Sequence, residues 1–358
     1  MPEAKATVST PDAMITRNGL EGRVDREAVH VELDKSDAGK TGITLKILSV
    51  VGGLIASSTL SGFFMSTGLM ETAAALIATG ILFIGGSLWL NRRADHLVLD
   101  AFTISMFLLG FVHLALAMDK VGWDFDRAIL ALGCIALVAL AVTRGYMLSL
   151  FSALIASASM LLFIAQRKWY DGVHAYVALW VFVSVWLFYS EAKFLSWGGK
   201  ASRQYPPLRV VTILSLIVGL FFVCNRDFLP YRQGTLWITS LATTAGVLFV
   251  ADSLGPIFGL KKTNERLVYL ACVLLLVLPL WFAPALTGSI LIVLLGFRTG
   301  DRTTFASGIL AFLYFTVQYY YDLEMTLLNK SYVMMSTGLL FLGLYMASNK
   351  KLKLLEKG

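Results

Sequence analysis

The chain has 358 residues, a formal net charge of +7, and a composition that is 57% hydrophobic and only 15% charged, with mean hydropathy +0.72. Water-soluble domains of this size carry roughly 25% charged residues, so the composition excludes an ordinary soluble enzyme or binding module. Long apolar runs broken by short charged turns predict an all-α, polytopic membrane protein built as successive helical hairpins. The alternating segments of about ten residues that mark a β-barrel are missing.

Residues 1–43 come first and read as a flexible cytoplasmic tail, too poor in apolar side chains to build a core. No basic start followed by an apolar stretch is present, so no secretory signal is expected. Pro2 stands where a myristoylation pattern needs glycine, and the Lys-Gly ending carries no prenylation box. Attachment to the bilayer therefore rests on the apolar spans of a transmembrane domain over 44–348, followed by a basic cytoplasmic tail at 349–358.

Within that domain the apolar runs fall at 44–65, 72–90, 97–118, 128–143, 146–165, 173–190, 208–224, 236–251, 267–282, 285–297, 303–319 and 326–347. About twelve transmembrane helices are thus expected. The ninth and tenth are short and separated only around Pro284, and the distribution of charge decides whether they are one span or two. With twelve spans and a cytoplasmic N-terminus, 23 lysines and arginines fall on the cytoplasmic side and six outside, leaving Lys330 within a span. Merging the two short runs weakens the bias to 17 against 12. The positive-inside rule therefore favours twelve spans in a bacterial cytoplasmic (inner) membrane, with both termini in the cytosol.

The connections are short, the longest being the stretch "AKFLSWGGKASRQYPPLR", so no soluble catalytic domain fits between spans. Small residues recur every four positions at Ser49, Gly53, Ser57 and Ser61, and again at Ser149, Ala153 and Ser157, a pattern suited to close helix packing. Cys134, Cys224 and Cys272 lie in or beside apolar runs with no CxxC spacing, and read as buried free thiols rather than disulfide or metal ligands. No metal or cofactor site is expected. Nucleic-acid binding is not expected either: the basic balance follows from cytoplasmic Lys and Arg facing anionic lipid.

Candidate site residues cluster towards the end of the chain, in "YYYDLEMTLLNKSYVMMSTGLLFLGLYMA". Lys330 lies about 6 Å along the axis from the start of a 326–347 helix, where its stem can reach the interface. Asp322 and Glu324 occupy the turn just before, favoured by the positive end of the helix dipole. Either carboxylate can pair with Lys330, as a structural bridge or as part of a binding site, with Tyr320 and Tyr321 alongside. Asp100, His113, Glu191 and Asp252 are secondary candidates, because ionisable groups inside or at the rim of spans are functional candidates by default. The outer turns "DKVGWDFDR", "QRKWYDG", "NRDFLPYRQG", "LPLWFAPAL" and "YYYDLEM" interleave acids with Trp, Tyr and Phe. An interfacial aromatic belt explains much of that pattern, and a shared binding surface is the functional alternative. No GxxxxGK[ST], HExxH or GxSxG motif occurs.

At "FASGILAFLYFTVQYYYDLEMTLLNKSYVMMSTGLLFLGLYM" the sequence resembles the domain of unknown function 4401 family, bacterial multi-pass membrane proteins without an assigned activity. The resemblance rests on Tyr320, Tyr321, Asp322, Leu323 and Glu324, then Thr326, Leu327, Leu328, Lys330 and Ser331. It implies a small membrane-anchored protein partner carrying a Gly-Asp-Tyr motif, and so a hetero-oligomeric assembly. Three functions are consistent with these features. The favoured one is a scaffold or accessory subunit of an envelope membrane complex, with its extracytoplasmic face as binding surface. A secondary transporter of a small solute would use the proline-interrupted pair around Pro279 and Pro284. A membrane-embedded enzyme acting on a lipid-linked substrate would have to work through the outer acids and aromatics.

Overall fold

The computed structural model describes residues 71–91, 97–143, 145–225, 227–255 and 283–322 continuously, and scattered helical positions within 52–66, 269–281 and 331–342; at 97–101, 195, 199–201, 233 and 322 the description is of backbone alone. Among these residues every extended regular element is an α-helix. Two compact units divide the chain, residues 1–122 and 123–358.

The first unit holds a helical hairpin, α1 (Ala73–Leu90) and α2 (Leu97–Lys120). The Thr72 hydroxyl accepts from the Ala75 N–H at 3.3 Å and starts α1, the usual job of a Thr ahead of an apolar run. The two backbones approach closely because Gly80 faces Gly110: a Cβ on Gly110 would lie 2.6 Å from Ile84 and 3.0 Å from the Gly80 carbonyl. Lys120, at the end of α2, donates to the Glu71 carbonyl at 2.8 Å and closes the open end of the hairpin.

The second unit contains α3 (Phe125–Val142), α4 (Tyr146–Gln166), α5 (Gly172–Tyr189), the short α6 (Glu191–Ser196), α7 (Gly199–Cys224), a 3₁₀ turn (Gln233–Thr235), α8 (Leu236–Leu254), α9 (Pro284–Thr299) and α10 (Arg302–Asp322). Helix α7 is the hub, packing on α4, α5, α9 and α10, while α8 lies between α5 and α9. Leu216, Leu220, Leu291, Ile292 and Phe315 are fully buried along these contacts. Glycines set the spacing. A Cβ on Gly288 would meet Leu220 at 2.5 Å, and one on Gly296 would meet the Phe305 backbone nitrogen at 2.5 Å. The Ser149, Ala153 and Ser157 stripe of α4 is buried, as close helix packing requires.

Seven described helices are long and apolar enough to cross a membrane: α1, the 102–120 part of α2, α3, α4, α5, the 202–224 part of α7, and α8. The expected count of about twelve is not confirmed. Helix α9 has only 16 residues, and α10, with Arg302, Gln318 and Asp322 along it, is not one of the seven. The runs at 44–65, 267–282 and 326–347 fall largely outside the described residues, as do both expected tails.

Two expectations need correction. The stretch around 192–209 is not a loop: α6 occupies its start and α7 begins at Gly199, nine residues ahead of the expected span. Pro206 and Pro207 cost α7 two N–H donors, but tertiary contacts carry the helix through. Gln204 donates to the Leu140 and Thr143 carbonyls at 2.8 and 3.0 Å, and Tyr205 is buried. Gly198, at φ +61°, makes the break between α6 and α7. Second, Cys134 is exposed on α3 rather than buried, and lines an apolar cleft. Lipid contact serves an apolar thiol as well as a protein core does. Cys224 is half-buried, and Cys272 lies outside the described residues.

Candidate functional site

Polar groups gather at the two ends of α5. At its N-terminal end, Asp171 accepts from the Arg232 N–H at 2.9 Å and from the Thr235 hydroxyl at 3.0 Å. One carboxylate thereby ties the turn between α4 and α5 to the turn between α7 and α8. The Arg232 N–H is the main cause that holds the Asp171 carboxyl below the usual carboxylate range; burial opposes it, and the Thr235 hydroxyl and the Arg232 charge add to it. Arg167, at the C-terminus of α4, pairs with Asp126 of α3 at 2.7 Å on the same rim. Trp169 and Phe228, on the turns that Asp171 joins, are 58% and 63% exposed and so present aromatic faces from an anchored base.

One turn further in, His174 is fully buried. Its Nδ1 shares a hydrogen bond with the Thr239 hydroxyl of α8 at 2.7 Å, the donor depending on the tautomer. The Tyr231 ring stands edge-on to the imidazole at 4.6 Å, and its hydroxyl donates to the Val223 carbonyl. Next to Thr239, Ser240 donates to the Trp281 carbonyl at 2.6 Å. Deeper still, the Ser157 hydroxyl of α4 joins the Tyr176 hydroxyl of α5 and donates to the Ser215 hydroxyl of α7, both at 2.7 Å. Buried hydroxyls thus satisfy one another across helices where no water is available.

At the other end of α5 the chemistry is ionic. Arg209 of α7, only 15% exposed, reaches Asp301 at 2.6 Å and Glu191 at 3.7 Å, and donates to the Thr299 hydroxyl at 3.3 Å. The Phe188 ring lies under its guanidinium, 4.9 Å away. Asp301 also starts α10, accepting from the Thr303 and Thr304 N–H groups and from the Thr304 hydroxyl. Burial works to raise the Asp301 carboxyl, but Thr304 and the Arg209 charge outweigh it and leave it below the usual range. The Tyr205 hydroxyl is buried beside Glu191 and Arg209 without hydrogen-bond geometry to either. Nearby, Arg298 of α9 stacks on Tyr189 at 4.4 Å.

This ionic cluster joins α6, α7 and the turn between α9 and α10, immediately past α5. Sequence reasoning found Glu191 but not its partners. Arg209 entered only as one cytoplasmic charge among many, and Asp301 was not singled out as a candidate. A usable signal existed in "GDRTT": Gly300 just past an apolar run marks a helix end, and Asp301 just ahead of the next run is an N-cap residue type.

The other predicted residues are distributed as follows. Tyr320 is half-buried and Tyr321 exposed on the last turn of α10, their rings edge-to-face at 5.7 Å. Asp322 ends α10, with only its backbone described; Glu324 and Lys330 lie outside the described residues. Asp100 is on the first turn of α2, again as backbone alone. His113 is buried in the α1–α2 hairpin, its Nδ1 2.9 Å from the Leu109 carbonyl and its ring edge-on to Phe83. That is the geometry of a packing histidine. Asp252 is half-buried near the end of α8. The single histidine of residues 123–358, His174, was missed, because nothing in "DGVHAYV" distinguishes it before Thr239 is brought alongside.

No curated protein and no solved structure matches the chain. The family model described as "Domain of unknown function (DUF4401)" matches residues 43–351, a range that takes in every one of the expected spans from 44 to 347. The chain belongs to the DUF4401 family.

Proposed function

We propose that the protein is a membrane-embedded scaffold or accessory subunit of a bacterial envelope complex, seated in the cytoplasmic membrane with both termini in the cytosol. Its extracytoplasmic rim receives a small membrane-anchored partner. The observation that carries this reading is the Asp171 staple. A surface meant to hold a partner gains affinity when its loops are ordered beforehand, and this carboxylate fixes two loops that present Trp169 and Phe228 to the outside. The orientation rests on the excess of Lys and Arg at the opposite rim.

Photo-crosslinkers placed at positions 169 and 228 in native membranes test it. The expected result is a stoichiometric adduct with one small membrane protein, lost in a Trp169→Ala, Phe228→Ala double variant that keeps its thermal stability. Adducts with lipid alone, or adducts indifferent to the double variant, would remove the scaffold reading.

A specific feature favours transport as the second reading. Helix α9 is short, starts at Pro284 with its first turn buried, and packs on α8, whose Thr239, Ser240 and Thr243 are buried. Buried starts of short helices form substrate sites in secondary transporters, and the Thr287 hydroxyl there is buried with no hydrogen-bond partner among the described residues. Stabilisation of the purified protein by one small solute, abolished by Thr287→Val and needing no partner protein, would favour transport.

A further inference from the structure

The lipid-facing side of the α5–α8 contact is not smooth. A cleft of about 460 Å³ runs along it, floored by Ala242, Ala245 and Gly246 and walled by Phe182, Trp186 and Phe249. Phe182 is 69% exposed, so the wall stands out into the surrounding medium rather than folding over the cleft. Along α5 the lining extends from Ala178 to Tyr189, a rise of about 16 Å. That is about half of the ~30 Å hydrocarbon core. A partner helix needs a seat that crosses the whole core; this one has the depth of a single leaflet.

The cleft also has a polar end. Tyr189 and Phe249 close it with rings 5.6 Å apart, bridging α5 and α8. The Arg298 guanidinium lies over the Tyr189 ring, 4.4 Å from its centre. A ring contact of this kind occupies no N–H donor formally, and a guanidinium carries five of them for a ligand. No described carboxylate lies within ion-pair distance of Arg298, in contrast to Arg209, which holds two. A cation with no described carboxylate partner, at the mouth of a leaflet-deep apolar cleft, complements an amphiphile with a negative head.

We propose that the α5–α8 cleft is a binding site for one anionic phospholipid, with an acyl chain lying over Gly246 and the phosphate on Arg298. The inference needs the helices to lie in a bilayer and does not depend on the scaffold reading. Basic positions between helices at the cytoplasmic boundary are suited to anionic head groups, and the charge asymmetry of the chain puts Arg298 at that boundary. Guanidinium is the better donor here because its planar fork can bind two phosphate oxygens while stacked.

Native mass spectrometry of the detergent-purified full chain, titrated with dioleoyl phosphatidylglycerol or dioleoyl phosphatidylcholine, tests the site. The expected result is retention of one phosphatidylglycerol with about fivefold or greater preference over phosphatidylcholine. Arg298→Gln should equalise the two lipids, and Ala245→Phe, which fills the cleft from an exposed position, should reduce both. No preference in the wild-type protein would overturn the proposal, and that arm stands even if a variant fails to fold. A preference unchanged in Arg298→Gln would overturn it too. Displacement of the bound phosphatidylglycerol by inorganic phosphate alone would show an ion site with no role for the cleft, and equally sink the idea.

Discussion

Arg209 and Asp301 stand 92 residues apart in the chain and 2.6 Å apart in space, the closest ion pair among the described residues. Asp301 serves two helices at once, accepting from Arg209 of α7 while starting α10. Replacing Arg209 by Gln removes a charge-assisted bond from a mostly desolvated site, and a loss of about 2 kcal/mol is expected. Asp301→Asn should cost a similar amount. In a double-mutant cycle read by thermal unfolding in detergent, the combined variant should fall well short of the sum of the two losses. Simple additivity would mean that the pair contributes nothing jointly.

Acid should weaken the same rim and the Asp171 staple. Both carboxyls are held below their ordinary range in the folded protein, so the folded state binds fewer protons than the unfolded state wherever the unfolded groups titrate. Their contribution is complete above the unfolded value of about 3.9 and is lost as pH falls through the depressed folded values. The midpoint of thermal unfolding should therefore carry the full contribution of these groups, unchanged with pH, between pH 7 and 5 and decline below about pH 4. The decline should be shallower in an Asp171→Asn, Asp301→Asn double variant. An identical slope in the double variant would assign acid sensitivity to other groups.

Gly296 has no room for a side chain. A Cβ there would sit 2.5 Å from the Phe305 backbone nitrogen, and backbone cannot swing aside as a long side chain can. Gly296→Ala should force α9 and α10 apart at a cost of about 1–3 kcal/mol. Gly85, with open space where its Cβ would go, is the control: Gly85→Ala should be neutral or slightly stabilising, since alanine favours helix by up to about 1 kcal/mol. Comparing the two unfolding midpoints checks the helix spacing directly.

Lys330 and Asp322 are proposed to pair at the extracytoplasmic end of the last hairpin, on the strength of their spacing in the sequence. Lys330→Met should lower stability by about 1 kcal/mol, and adding Asp322→Asn should recover part of that loss. If the two penalties merely add, the lysine reaches the interface by itself.

What the sequence determined by itself is the environment of the chain. Length and apolarity of a run are local properties, so α1, α3, α4, α5 and α8 were all legible to within a few residues, and the asymmetry of Lys and Arg argued for an orientation. The start of α7 was not legible, because Pro206 and Pro207 signal a break that the contacts of Gln204 and Tyr205 override. Everything that makes a site was decided by tertiary structure. A helix such as α5, "GVHAYVALWVFVSVWLFY", is apolar all round, so no amphipathic face announces which side turns to lipid and which to protein. Only the rotation and register of packed helices set His174 against Thr239 and Arg209 between Glu191 and Asp301. The same packing left Arg298 over Tyr189 with no described carboxylate beside it. Those angles are fixed by where Gly296 and Gly308 let backbones meet and Gly288 admits Leu220, and close approach is a property of pairs of helices that no single run of sequence contains.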